Sequence, residues 1–208
     1  TLVSTAAAAS VVKEFGVFDL PFLFTDFKEV DLVLDGPVGR RLLERLSERN
    51  LVGLCYFENG FRHVTNSRRP IAKVEDLKGL KIRTIQNPVF IDIFNTLGAN
   101  ATPMPFTEVF TALESKAIDG QETPYSNIYG NKFYEVTKYI SNTGHSYGGA
   151  VVLAGKKFWD QLSPAEQKLM QETCNTARDF ERNFQRTEDP KLLAQIKAKG
   201  GVYTEIAP

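Results

Sequence analysis

Hydrophobic and polar positions along the chain follow two periods. In "DLKGLKIRTI" (76–85), Leu80 and Ile82 fall on one side and Lys81 and Arg83 on the other. That is the period-two pattern of a β-strand, predicted over 80–85. A helix is predicted from Pro88 to about Leu97, stopped by Gly98, so Arg83 is left at the carboxyl end of a strand that feeds a helix. Upstream, "GVFDLPFLF" (16–24) is a dense apolar run interrupted by Pro21, which suits a strand edge or hydrophobic loop. Residues 26–50 carry helical spacing broken at Gly36 and Pro37, with Leu42, Leu43 and Leu46 as the apolar stripe of the second half. "LVGLCYFENG" (51–60) reads as a buried strand ending in a turn at Asn59-Gly60. Residues 61–73 read as a polar, proline-containing loop, and 74–78 as one short turn ended by Gly79.

Downstream, two prolines keep 101–106 extended, and Thr107 is placed as the N-cap of the helix that follows. "IDGQETP" (118–124) reads as a short strand and turn, 131–141 as a helix or turn and then a strand, and 148–155 as a strand. Ser163-Pro164-Ala165-Glu166 is a capping box with proline at its first helical position. It opens a long helix to about Thr187, where Pro190 predicts a break or kink before a last helix and a last strand. The alternation of strand and helix gives an α/β fold.

Charge narrows the function classes. In 208 residues, Lys+Arg and Asp+Glu each total 25, and this balance argues against bulk nucleic-acid binding. No apolar run has the length of a membrane-spanning helix. Residues 1–10 lack the basic start of a signal peptide and open mid-pattern, so the expectation is a chain that has lost its own start. Cys55 and Cys174 have no metal or redox spacing; they read as small core hydrophobes, with one long-range disulfide as the alternative.

Several residues carry candidate chemistry. Ligands collect beyond the carboxyl ends of strands in open α/β sheets, and a guanidinium there can hold a carboxylate through two parallel bonds. Arg83 has that place; its plainer reading is a surface ion pair with Asp92 or Glu75. Arg62 follows a strand and turn in "ENGFRH". Phe106 ends an extended segment, where it walls a pocket or packs in the core. Gln121, Glu122 and Thr123 are polar groups on a turn, either ligand partners or turn chemistry. Catalytic and metal readings do poorly. His63 and His145 accompany no known catalytic motif, and "DFKEVD" (26–31) reads as a solvated helix face.

The motifs taken in order resemble the solute-binding proteins of tripartite ATP-independent periplasmic (TRAP) transporters, the C4-dicarboxylate-binding family. The matching stretches are "FGVFDLPFLF", "GFRHVTNSRRPI", "DLKGLKIRT", "LGANATPMPFTEVFTALESKAIDGQETP", "KFYEVTKYIS" and "FWDQLSPAEQKLM". The resemblance implies a two-lobed, periplasmic-binding-protein-like α/β fold with a ligand cleft between the lobes. Residues 1–59 and 149–188 would form lobe one, 60–148 and 189–208 lobe two, and the long helix after Ser163 would span both. It also implies that the N-terminal βαβ portion of lobe one is missing from this chain.

The same resemblance implies a small organic-acid ligand, TRAP permease membrane subunits as partners, no cofactor, no catalysis, a monomer, and the periplasm of a Gram-negative bacterium. It marks Arg83 as the carboxylate clamp, Arg62 as a second arginine and Phe106 as the aromatic against the ligand. Glu122 joins these as a binding residue. Thr123 stands where the family commonly has asparagine, and Ser4 and Thr5 match its first-lobe loop. Two alternatives are a ligand sensor that signals to a membrane receptor and, less favoured, an enzyme acting on a carboxylic acid.

Overall fold

The computed structural model describes residues 1–206. In chain order the elements are β1 (Leu2–Ser4), α1 (Thr5–Ala8), α2 (Phe27–Leu34), α3 (Pro37–Arg45), β2 (Leu51–Asn66), β3 (Lys81–Thr84), α4 (Pro88–Thr96), β4 (Asn100–Pro103), α5 (Val109–Glu114), β5 (Gly120–Thr123), α6 (Tyr125–Gly130), β6 (Tyr139–Gly155), α7 (Lys156–Trp159), α8 (Pro164–Ala198) and β7 (Val202–Glu205). The chain divides into two compact units. The first is Thr1–Asn59 with Tyr147–Arg186, and the second is Gly60–Ser146 with Thr187–Pro208. No helix among the described residues is long and apolar enough to cross a membrane.

In the first unit, β1 pairs antiparallel with β6, Leu2 opposite Val152. Residues 16–24 are neither strand edge nor simple loop. A 3-10 helix runs Lys13–Asp19. Its three-residue turn puts Phe15 and Phe18 on one side, where both are buried edge-on to each other and beside Tyr56. Asp26 caps α2 by accepting from the Lys28 and Glu29 amides. The solvated face expected over 26–31 is corrected at Asp31. It accepts from Arg182 and Arg186 of α8, and Arg186 also grips the buried Glu58, which accepts from the Tyr147 hydroxyl. Cys55 and Cys174 form a disulfide that ties β2 to α8, so the core-thiol reading is corrected.

In the second unit the strands follow the order β7, β6, β2, β5, β3, β4. β2 and β5 are antiparallel, whereas β3 runs parallel to both β4 and β5. One core packs Val64, Ile71, Leu80, Ile82 and Phe94. Another packs Val109, Leu113, Ile128, Phe133, Ile140 and Ile196.

Five expectations are corrected here. Asn59-Gly60 is not a hairpin turn: β2 continues to Asn66, because residues 63–66 find their partner in β5 rather than folding back. Gly60 carries the chain through with φ +103, a conformation open mainly to glycine. Residues 142–147 are no connection, since β6 is one strand of 17 residues. Thr107 caps nothing and lies inside a 3-10 turn, Phe106–Glu108, that Pro105 precedes. Glu122 and Thr123 belong to strand β5, not to a turn. Pro190 does not end the long helix, because Leu193 and Ile196 pack beyond it in the core and hold the segment helical. The Ser163–Glu166 box forms as expected, each side chain bonding the other's amide.

Candidate functional site

The second unit holds most of the candidate residues. β3 lies between two parallel neighbours, with Arg83 beside Thr102 of β4 and Gln121 of β5. Strands so placed are covered on both faces. Arg83 is therefore only 3% exposed, although alternation suggested a polar side for it, while Lys81 at the strand start stays exposed. Its Nε and Nη2 both donate to the Met104 carbonyl, at 3.1 and 2.7 Å. The Phe106 ring lies 5.7 Å from the guanidinium and packs edge-on to Phe133.

Burial pulls the Arg83 pKa down to about 10, partly offset by nearby Glu122, so the group stays charged at neutral pH. The surface ion pair with Asp92 or Glu75 does not form. Among the described residues no carboxylate lies within ion-pair distance of Arg83.

Arg62 of β2 has the opposite circumstance. Its Nε donates to Glu122 Oε2 at 2.5 Å, and its Nη2 to Oε1 at 2.8 Å and to the Glu122 carbonyl at 2.9 Å. The other flank of Glu122 faces His145 of β6, with Nε2 3.3 Å from Oε2. His145 Nδ1 is 2.8 Å from the Thr143 hydroxyl. Phe90 lies under Arg62 and Phe94 edge-on to His145, so α4 covers the cluster with aromatic rings. Burial raises the Glu122 pKa, but the Arg62 charge and the His145 hydrogen bond outweigh it and hold the carboxyl at about 2. It is ionised at neutral pH.

His63, opposite Thr123 in the ladder, stacks on Tyr125 with centroids 4.1 Å apart and accepts from the Gly144 amide. Burial drives its pKa down to about 3, with the charges of His145 and Arg62 adding to the effect. Thr123 is buried, and its hydroxyl accepts from Asn127 Nδ2 at 3.2 Å.

The fold thus brings Arg62 against Glu122 and Arg83 against Phe106 within one unit. Ser4 and Thr5 lie in the first unit. Ser4 caps α1 by accepting from the Ala7 amide, and Thr5 donates to the Gly149 carbonyl. The sequence reading passed over His145 as a flank of Glu122 and over Phe90 beneath Arg62. Nothing in their spacing marks either, since the contacts are set by strand register. Two open depressions of about 340 and 390 Å³ lie on the first unit and contain none of these groups. Chemically, the second unit offers a buried cation with no carboxylate counterion among the described residues, beside an ionic pair already closed on itself.

All 208 residues match the profile of the bacterial extracellular solute-binding protein family 7, DctP. A solute-binding protein of Verminephrobacter eiseniae is 40% identical over 200 residues, 96% of this chain and 60% of that protein. The 2,3-diketo-L-gulonate-binding periplasmic protein of Escherichia coli is 41% identical over 184 residues, 88% of this chain and 56% of that protein. The chain therefore spans 56–60% of the length of these curated relatives. The crystal structure of a sugar acid binding protein from Advenella mimigardefordensis, in complex with galactonate, superposes with a TM-score of 0.97 at 48% identity, covering 100% of this chain and 67% of that one. By its full-length match and by these relatives, the chain belongs to the bacterial extracellular solute-binding protein family 7.

Proposed function

We propose that this chain serves an extracytoplasmic solute-binding protein that captures a small organic acid and delivers it to a TRAP permease in the membrane of a Gram-negative bacterium, without chemical turnover. In this reading residues 1–59 and 149–188 form lobe one, and 60–148 and 189–208 form lobe two. The observation that carries it is Arg83, buried, charged and oriented by a carbonyl, with no carboxylate partner among the described residues. A ligand carboxylate is the group such a cation calls for. Phe106 would lie against the ligand and Thr123 beside its carboxylate. Ser4 and Thr5 would contribute from lobe one, while Arg62 and Glu122 frame the site.

Relatives support the class. Their ligands include galactonate, D-erythronate and 2,3-diketo-L-gulonate. The test is a thermal-shift screen of the complete protein against an organic-acid library, followed by calorimetric titration. The expected outcome is one equivalent of acid bound and recovered unchanged. Catalytic consumption of the acid refutes the reading, and so does a screen in which no acid binds.

A further inference from the structure

We propose, resting on that organic-acid reading, that Pro105 is a positioning residue: it holds Met104 extended, and so aims the carbonyl that orients the Arg83 guanidinium for a ligand carboxylate. Arg83 depends on one acceptor. Its Nε and Nη2 both donate to the Met104 carbonyl, at 3.1 and 2.7 Å, so a single oxygen fixes the plane and the edge of the guanidinium fork. Where that carbonyl points, the fork follows. With its Nε–Nη2 edge engaged, the guanidinium turns its Nη1–Nη2 edge to an incoming carboxylate.

The carbonyl lies outside regular secondary structure. β4 ends at Pro103, and the 3-10 turn begins at Phe106. Met104 lies between them, its amide donating to the Thr84 carbonyl at 3.4 Å, a long bond that continues the β3–β4 ladder by one step. The direction of the Met104 carbonyl is then set by the residue's own ψ, and a proline follows it. The ring carbons of Pro105 clash with a preceding residue in the helical region and confine it to extended values.

The neighbourhood makes that restraint necessary. Just beyond, the Glu108 amide bonds back to the Pro105 carbonyl. Without the proline ring this turn can grow towards β4, and Met104 drawn into it would swing its carbonyl along the turn and away from Arg83. Pro105 is itself exposed, so core packing does not account for it. Pro103 is also exposed, but it restricts Thr102, the residue before it, and leaves the Met104 ψ untouched. The two prolines of one loop therefore differ in what they govern.

The experiment first reads Arg83 without ligand. In the complete protein, labelled for nitrogen NMR, the Arg83 Nε–H resonance is assigned by its loss in Arg83→Lys. Held on a carbonyl in a buried site, this hydrogen should exchange slowly with water. Pro105→Ala should speed its exchange about threefold to tenfold, because the restrained pose becomes one of a few open to Met104. Pro103→Ala should leave it unchanged. Pro105→Gly frees the same bond and replaces the alanine variant if that one does not fold. Unchanged exchange in the folded Pro105 variant, or equal acceleration by Pro103→Ala, overturns the inference. Calorimetric titration then uses galactonate, or the acid that the screen selects. Pro105→Ala should lower affinity by a matching factor of about three to ten, and should cause no further fall when added to Arg83→Lys. An equal fall in both backgrounds means that Pro105 acts through Phe106 or the turn; it overturns the inference and leaves the organic-acid reading standing. A screen in which no acid binds overturns that reading and the ligand half of this inference, and the exchange measurement still decides whether Pro105 holds Arg83.

Discussion

Replacing Arg83 by alanine separates two consequences, one for the proposed ligand binding and one for the unliganded protein. The first is on ligand binding. A desolvated carboxylate deprived of its guanidinium costs about 3–5 kcal/mol, a loss of a hundredfold to a few thousandfold in affinity. The second is on the unliganded protein. Arg83 is 3% exposed and gives two bonds to the Met104 carbonyl, so truncation leaves that oxygen without its charged donor. Hydrogen bonds from charged groups contribute about 1.5–3 kcal/mol, and stability should fall by that order.

The assay must keep the two apart. Affinity is measured by calorimetry well below the unfolding transition of each variant, and stability by denaturant titration without ligand. Arg83→Lys should recover only part of the affinity, because an ammonium cannot hold the carbonyl and a carboxylate in the same planar geometry. Arg62→Ala serves as the contrast. It leaves Glu122 buried and unpaired, so its main cost is stability, about 3–5 kcal/mol. If Arg83→Ala binds the cognate acid within a few-fold of wild type, the carboxylate site lies elsewhere.

Three further outcomes are expected. The Cys55–Cys174 bond closes a separation of 119 residues, for which chain entropy gives a stabilisation of about 5 kcal/mol; the double alanine variant should melt well below wild type, and an unchanged Tm would contradict this. Stability should fall with acid in two stages. His63, with a folded pKa of about 3 against 6.5 unfolded, binds its proton preferentially in the unfolded chain, so its contribution is complete above pH 6.5 and fades below it. Glu122, at about 2 against 4.5, adds its loss below pH 4.5, and His63→Gln should abolish the upper stage in urea titrations across pH. Thr123→Asn should reorder affinities among several acids without altering the fold, and an unchanged ranking would make Thr123 purely a partner of Asn127.

What the sequence revealed depended on whether the signal was local. Strand 81–84 and its following helix are legible because the alternation, Pro88 and Gly98 lie within one short stretch. The Ser163 cap is legible for the same reason. The long strands are not. Asn59-Gly60 is a good turn pair locally, and only the availability of β5 as a partner overrides it. The disulfide and the Asp31–Arg186–Glu58 network join residues more than a hundred positions apart, where spacing carries no information.

The two arginines make the limit sharper. From sequence, Arg83 stands at the carboxyl end of an alternating strand and Arg62 follows a strand and turn, and neither pattern names the partner of its guanidinium. Their difference arises from register alone. Antiparallel pairing sets Val64 opposite Glu122, which leaves the Glu122 carboxylate within reach of Arg62 two residues along β2. Parallel pairing sets Arg83 beside Thr102 and Gln121, so the oxygen it meets belongs to the backbone just beyond β4. A carboxylate partner fixes a guanidinium and cancels its charge; a carbonyl partner fixes it and leaves the charge to act. Shifting β5 by one residue against β2 would move Glu122 to the other face of its strand and break the Arg62 pair. Whether a guanidinium of this unit meets a carboxylate or a carbonyl is therefore decided by strand pairing, which the order of residues alone does not display.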